Sequence, residues 1–267
     1  MMEQERTIRL LCFVGIFLLC AIAEALRPKR PRDYPRHRRW RVNFGMLVLG
    51  SVAVPLFFSV LAVELARRGE AVGWGLLHQI GLPYPLRFVA GLVLLDFIIY
   101  LQHVLSHQVP LFWRVHRVHH TDGDLDASSA LRFHPIEILA SMLLKLLVVA
   151  GLGAPPAAVL LFEIILNGMA LFNHANLNLP LGIDRALRAM LVTPDMHRVH
   201  HSTIVRETNS NFGFNLSCWD RLFGTYRPQP QKGHAEMQIG LREFSDAGDH
   251  GLGWTLTQPL LSQDRKR

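Results

Sequence analysis

The chain has 267 residues, half of them hydrophobic, a formal net charge of +7 and a positive mean hydropathy. That length suits one sizeable core or a small bundle of membrane spans. Its three cysteines, Cys12 and Cys20 in one apolar block and Cys218 far away, exclude a disulfide framework or a zinc-finger spacing.

The distribution of apolar residues decides for the membrane, because they gather in long blocks with few charges, as a span of about 20 residues requires. Residues 8–26 form the first block, with its only charges, Arg9 and Glu24, close to its ends. A signal peptide is the rival reading of this block, but no A-x-A site precedes a polar mature start and the next block is hydrophobic too. Residues 27–41, RPKRPRDYPRHRRWR, hold eight Lys/Arg against one Asp. Alone they would read as a solvated linker or a nucleic-acid patch. Between two membrane blocks they read as a cytoplasmic loop under the positive-inside rule, and no nucleic acid is expected as a partner. The second block is 44–65, the third 85–101, and a fourth region, 136–172, is broken at GLGAPP (151–156) into a hairpin of two short spans. Counting crossings puts Arg67 outside, and puts His103 and everything after the hairpin inside. Residues 179–194, LPLGIDRALRAMLVTP, read as an amphipathic helix on the membrane surface with Arg185 and Arg188 upward, or else as a packed helix of a cytosolic cap. In WDRLFGTY, Trp219 and Phe223 are four apart and are expected to share a buried face. The chain ends in a polar segment with a loose tail at SQDRKR.

Of 14 histidines, eight fall into three short clusters: HVLSH (His103, His107), HRVHH (His116, His119, His120) and a second HRVHH (His197, His200, His201). On a helix, residues three and four apart share a face, so each cluster is a comb of imidazoles. HxxxH alone is weak, and a single HxxHH could be an idle surface turn. Two identical copies plus HxxxH, all at the mouths of apolar segments, point to metal. Eight neutral nitrogen donors exceed the needs of one zinc site and match two ions of about four donors each. Imidazole suits iron as well as zinc, so the donors do not choose between them.

In order and spacing, HVLSH, HRVHH, the hydrophobic hairpin, the second HRVHH and NSNFGFNLSCWDRLFGTY resemble the fatty acid hydroxylase/sterol desaturase superfamily of membrane-bound, histidine-rich di-iron oxygenases, over residues 86–226. The resemblance implies an all-α integral membrane protein with about four to five transmembrane or hairpin helices capped by a cytosolic helical di-metal domain. It divides the chain into two N-terminal spans with the basic loop (1–84), a hydroxylase-like di-iron domain (85–226) and a polar tail (227–267). It makes His103, His107, His116, His119, His120, His197, His200 and His201 metal ligands, with His174 in FNHANLN as a ninth. Some members carry HxxxH there; Asn178 stands at the second position, which leaves one coordination place to water, to Asn178 or to nothing. His134 in RFHPIE is a possible ligand or a structural helix start.

Carboxylates are expected to orient the imidazoles by accepting their outer N–H groups. Asp96, seven residues before His103, is the first candidate; Glu137 and Asp195 are weaker ones, and TDGDLD (Asp122, Asp124, Asp126) reads as a solvated loop. No catalytic side chain is expected beyond the metal centre. The implied cofactors are two Fe ions, replaceable by Zn in purified protein, with O2 as co-substrate. The implied partners are a membrane lipid and an electron donor such as a ferredoxin, a cytochrome b5-like protein or a reductase, the basic loop offering a surface for the donor or for anionic headgroups. The expected activity is O2-dependent hydroxylation of a lipid or sterol-like C–H bond, with desaturation on the same site as the alternative. A membrane zinc transporter or hydrolase is a different class: it lacks HExxH, and the histidines gather at one membrane face. A purely structural metal scaffold is a third. The active site is expected to face the cytoplasm, in a bacterial inner membrane first and the endoplasmic reticulum second.

Overall fold

The computed structural model describes residues 2–244 and 250–262, and among these it is helical, with isolated β-bridges and no strand. The chain runs through α1 (Met2–Leu26), α2 (Arg36–Phe57), α3 (Ala62–Ala71), α4 (Leu76–Gln79), α5 (Tyr84–Gln108), α6 (Pro110–His120), α7 (Pro135–Leu152), α8 (Pro156–His174), α9 (Leu181–Arg188), α10 (Pro194–His200), α11 (Val205–Thr208), α12 (Cys218–Leu222), α13 (Gly233–Glu236) and α14 (Leu252–Thr257). Five stretches are long and apolar enough to cross a bilayer: α1, the run from α2 to α4, α5, α7 and α8. The SQDRKR tail lies almost wholly outside the described residues.

Proline and glycine set the ends of these helices. Pro110 ends α5 and opens α6, because a residue before proline is pushed out of the α region and proline itself suits a first helical turn. Gly153 closes α7 at φ 67°, where an added Cβ would lie 2.2 Å from the Trp74 carbonyl oxygen. Pro156 then starts α8, so the hairpin forms at the predicted break. The second block differs from expectation. It stops at Phe57, two residues after Pro55, and resumes at Ala62.

Two apolar cores hold the bundle. Phe17, Cys20, Leu131 and Leu171 join α1 and α8 near the histidine end, with Trp40 and Phe44 of α2 against Phe17 at ring-centroid distances of 5.3 and 5.4 Å. Val63, Leu95, Val149 and Phe162 form the other core. Leu19, Val52 and Leu147 remain exposed on the outer surface, as expected where lipid is the solvent.

The basic loop is not a solvated linker, and TDGDLD is not a solvated loop. Arg39, buried, donates from Nε and Nη2 to the two carboxylate oxygens of Asp122 (2.6 and 2.8 Å) and from Nη1 to Asp126 (2.7 Å). Asp124 accepts from the backbone amides of Asp33 and Tyr34. Arg32 and Arg36 pair with Glu24, a fully buried acid that also accepts from the amides of Ala127 and Asn176. Burial alone would raise the Asp122 carboxyl, but the Arg39 guanidinium overrides it and holds the group well below the usual carboxylate range. The basic segment is thus bolted to the turn that follows the first HRVHH. Arg39→Ala leaves two buried carboxylates without their cation and is expected to cost about 3–5 kcal/mol. A lowered unfolding midpoint of the detergent-solubilised protein would show it; an unchanged midpoint would remove this pair from the account of stability.

Candidate metal centre

Nine histidines converge where α5 and α8 end, in two abutting groups. The first holds His103, His107, His116, His120 and His200; the second holds His119, His174, His197 and His201. In each group the candidate donor atoms all lie within 4.8 Å of one another. The groups touch, with His120 stacked on His201 at a centroid distance of 4.5 Å.

Helical spacing explains the division. His116 and His120 are four apart and share one face of α6, while His119 between them points elsewhere. His197 and His201 are likewise four apart across α10 and its C-cap, with His200 splayed away. The first HRVHH therefore gives its outer pair to the first group and its middle histidine to the second. The second copy does the reverse. Each pentapeptide spans both groups, which a tally of donors along the chain does not reveal.

In the first group, four of the five rings are fixed from behind through Nδ1, and His120 has no such partner. His103 Nδ1 donates to the Phe212 carbonyl (2.8 Å), His200 Nδ1 to the Ser210 carbonyl (2.8 Å), His107 Nδ1 to Asn209 Oδ1 (3.2 Å) and His116 Nδ1 to Glu137 Oε1 (2.6 Å). The Nε2 atoms of these four rings are buried with no protein partner. A buried polar atom left unsatisfied costs about 1–3 kcal/mol, so four turned to one centre call for a ligand. In the second group, His174 Nδ1 donates to the Ala170 carbonyl (2.7 Å), and Nε2 atoms approach each other at 3.0 Å (His174 to His119), 3.1 Å (His197 to His174) and 3.2 Å (His201 to His197). Metal–nitrogen bonds of about 2.0–2.1 Å place tetrahedral donors roughly 3.3 Å apart. The residues present fit a metal ion in each group.

Burial, and then neighbouring imidazoles, push His119, His120, His197, His200 and His201 well below the ordinary imidazole value. All five stay neutral at physiological pH, the form a metal requires. Aromatic rings wall the site: Phe133 stacks on His119 at 4.3 Å, Trp113 lies 4.8 Å from His107 and Phe212 lies 5.1 Å from the same ring. Of the nine imidazoles only His107 is part-exposed, so the site opens beside it.

The other expected residues fall elsewhere. Asp96 accepts from Trp219 Nε1 (2.8 Å) and the Leu216 amide (3.3 Å), holding the segment before and within α12 instead of an imidazole. Asp195 pairs with Lys29 (2.7 Å) and Arg198, because two cations outcompete neutral rings for a buried carboxylate. Asn178 is exposed, its backbone paired with Arg27. His134 caps α7, accepting from the Ile136 amide through Nδ1, with its Nε2 against the Leu256 carbonyl, so both nitrogens are used away from the groups. Phe223 packs on Phe97 beside Trp219 but is half exposed.

Sequence reasoning missed Asn209, Ser210 and Phe212, which orient three rings of one group. Two of them act through backbone carbonyls, which carry no side-chain signature. The nearest signal is Asn211, in the left-handed region at φ 53°, which asparagine tolerates better than most residues. Its side chain donates to the Met196 and Arg227 carbonyls, and Asp220 accepts from the Phe212 and Gly213 amides, so the turn that aims both carbonyls is held on each side.

Two predictions follow from this geometry. His200→Ala and His119→Ala each remove a ligand from a different group, so each is expected to lose at least one metal equivalent by elemental analysis; full retention would refute the assignment. In metal-free protein, unfolded histidines bind protons near pH 6.5 while the five buried ones named above refuse them until well below it. The stability they contribute is therefore full above that pH and lost progressively as the pH falls. Unfolding midpoints of the stripped protein should drop between pH 8 and pH 5; a flat profile would contradict neutral burial.

A family model for fatty acid hydroxylase matches residues 88–225. An ornithine lipid hydroxylase of Rhizobium tropici is 34% identical over 186 residues, 69% of this chain and 53% of that protein. An alkylglycerol monooxygenase of Xenopus tropicalis is 31% identical over 200 residues, 72% of this chain and 42% of its own length. A cholesterol 25-hydroxylase of Rattus norvegicus is 28% identical over 160 residues, 59% of this chain and 52% of that protein. The chain thus spans about half the length of the curated relatives it matches. No solved structure matches it. With the match covering the histidine motifs and both halves of the hairpin, the chain belongs to the fatty acid hydroxylase family of the fatty acid hydroxylase/sterol desaturase superfamily.

Proposed function

We propose that this membrane protein hydroxylates a C–H bond of a membrane lipid or sterol-like molecule, using O2 at a di-iron centre held by the nine histidines. The observation that carries the proposal is the pair of all-imidazole groups in contact at the membrane end of α5 and α8. The relatives, an ornithine lipid hydroxylase, an alkylglycerol monooxygenase and a cholesterol 25-hydroxylase, support a lipid or sterol-like substrate. The balance is R–H + O2 + two electrons + two protons giving R–OH + H2O. Two iron ions supply the redox chemistry that no side chain provides.

The chain's own residues bind, orient and shield. Nδ1 bonds to Phe212, Ser210, Asn209 and Glu137 hold four rings with Nε2 forward, so little reorganisation is needed when a metal binds. Phe133, Trp113 and Phe212 keep bulk water from the reacting position. Leu105 and Leu111, two and four residues from His107, are exposed, so the surface near it in the chain is apolar, which suits a substrate arriving from lipid. The required electrons come from a separate donor such as a ferredoxin, a cytochrome b5-like protein or a reductase. The Lys/Arg-rich segment 27–41 lies at the histidine end, so the positive-inside rule assigns that end to the cytoplasm.

Lipid extracts of a host with and without the protein, grown with iron, should differ by a species that has gained one oxygen, read by mass spectrometry. His200→Ala should abolish it. A loss of two hydrogens instead would establish desaturation, and no change in any lipid alongside zinc as the only bound metal would end the oxygenase reading.

A further inference from the structure

We infer that α9 and α12 are sunk side by side into the acyl layer of the leaflet at the histidine end, so that the cap around the metal centre is partly embedded. This rests on the membrane spans and stands or falls separately from the reaction proposed above.

Asp96 lies midway along α5, twelve residues from Tyr84 and twelve from Gln108, or about 18 Å from either end at 1.5 Å per residue. The hydrocarbon core is about 30 Å thick, so Asp96 is well inside it wherever the helix rides. Yet Asp96 is bonded to Trp219 of α12 and to the Leu216 amide, and Phe97 packs against Trp219 and stacks on Phe223 at centroid distances of 4.8 and 5.7 Å. The α12 segment therefore reaches hydrocarbon depth along α5.

The next helix, α9, is fastened to it. The Arg188 carbonyl accepts from Ser217 Oγ and Arg221 Nη2, and Leu191 bridges Leu216. The polarity of α9 departs from the expected arrangement. Arg188 is not turned to water: it is buried, bonded to Asp184 (2.5 Å) and the Pro228 carbonyl (2.6 Å), while Asp184 accepts from Thr193. Asp184 and Arg188 are satisfied inside the protein, and the stripe Ile183, Ala186 and Met190 faces out, with Ile183 52% and Met190 71% exposed. Arg185 is exposed on another flank of the helix, where its long stem can carry the guanidinium up to the headgroups. On α12 beside it, Leu222 is 70% and Phe223 50% exposed. This apolar patch continues from the lipid-facing surface of α5, and the same acyl layer covers both.

The test is nitroxide accessibility in the full chain, reconstituted with iron into phosphatidylcholine vesicles. Ile183→Cys, Met190→Cys and Leu222→Cys are labelled singly in a Cys12→Ala, Cys20→Ala, Cys218→Ala background. Leu19→Cys serves as the lipid reference and Lys232→Cys as the aqueous one. All three test sites should collide with O2 several-fold more often than with a water-soluble nickel chelate, like Leu19→Cys. The native Cys218, exposed at the start of α12 on the face of Leu222, gives the same reading with Cys12→Ala and Cys20→Ala alone, leaving the patch unaltered. Ready collision with nickel, as at Lys232→Cys, would overturn the inference. Shielding from both reagents with dipolar broadening between copies would overturn it too, by showing a protein–protein contact instead.

Discussion

Nine imidazoles, eight of them buried, gathered into two groups whose donor atoms lie within 4.8 Å of one another, set the terms for the rest of the molecule. Charged, they would repel each other in a medium that screens little; neutral, the Nε2 atoms of the first group have no protein partner and those of the second have only one another. A bound metal resolves both problems, but only if the rings are already neutral, aimed and dry. The bonds behind the rings, the aromatic wall and the bolted basic segment each meet one of those conditions. Arg39, for example, lies far from the histidines in sequence, yet it holds Asp122, two residues beyond His120. The end of α6 is thereby tied to α2.

The two groups are not equivalent. The first has five imidazoles, four of them fixed through Nδ1, three by the single turn 209–212. The second has four, of which His174 alone has a backbone acceptor, and its geometry follows from packing among the rings themselves. Because each HRVHH serves both groups, a shift of α6 or α10 moves ligands of both at once. The dependence of each ion on both helices is built into the helical repeat.

The spans, the hairpin, the family and the histidine clusters were legible because each rests on local spacing. A block of apolar residues, a proline pair after glycine, or histidines three and four apart carry their meaning wherever the chain goes. The acids were less legible, since a carboxylate's role depends on which cation or donor the fold brings to it. Asp96 went to an indole, Asp195 to Lys29 and Arg198, and the acids of TDGDLD to the basic loop, while Glu137 reached His116. Polar composition suggested solvent for TDGDLD, but a matching excess of Arg elsewhere in the chain made burial affordable.

The sequence by itself determined that this is a helical membrane protein of the fatty acid hydroxylase family with histidine clusters spaced to meet, because hydrophobic length and helical periodicity are local properties. Only the tertiary structure decided which histidine joins which group, which carbonyls aim the rings, and how Asp184 and Arg188 of α9 came to be buried. Those outcomes depend on contacts between separate segments, such as His197 with His174, 23 residues apart, and Lys29 with Asp195, 166 apart, and no local pattern encodes them.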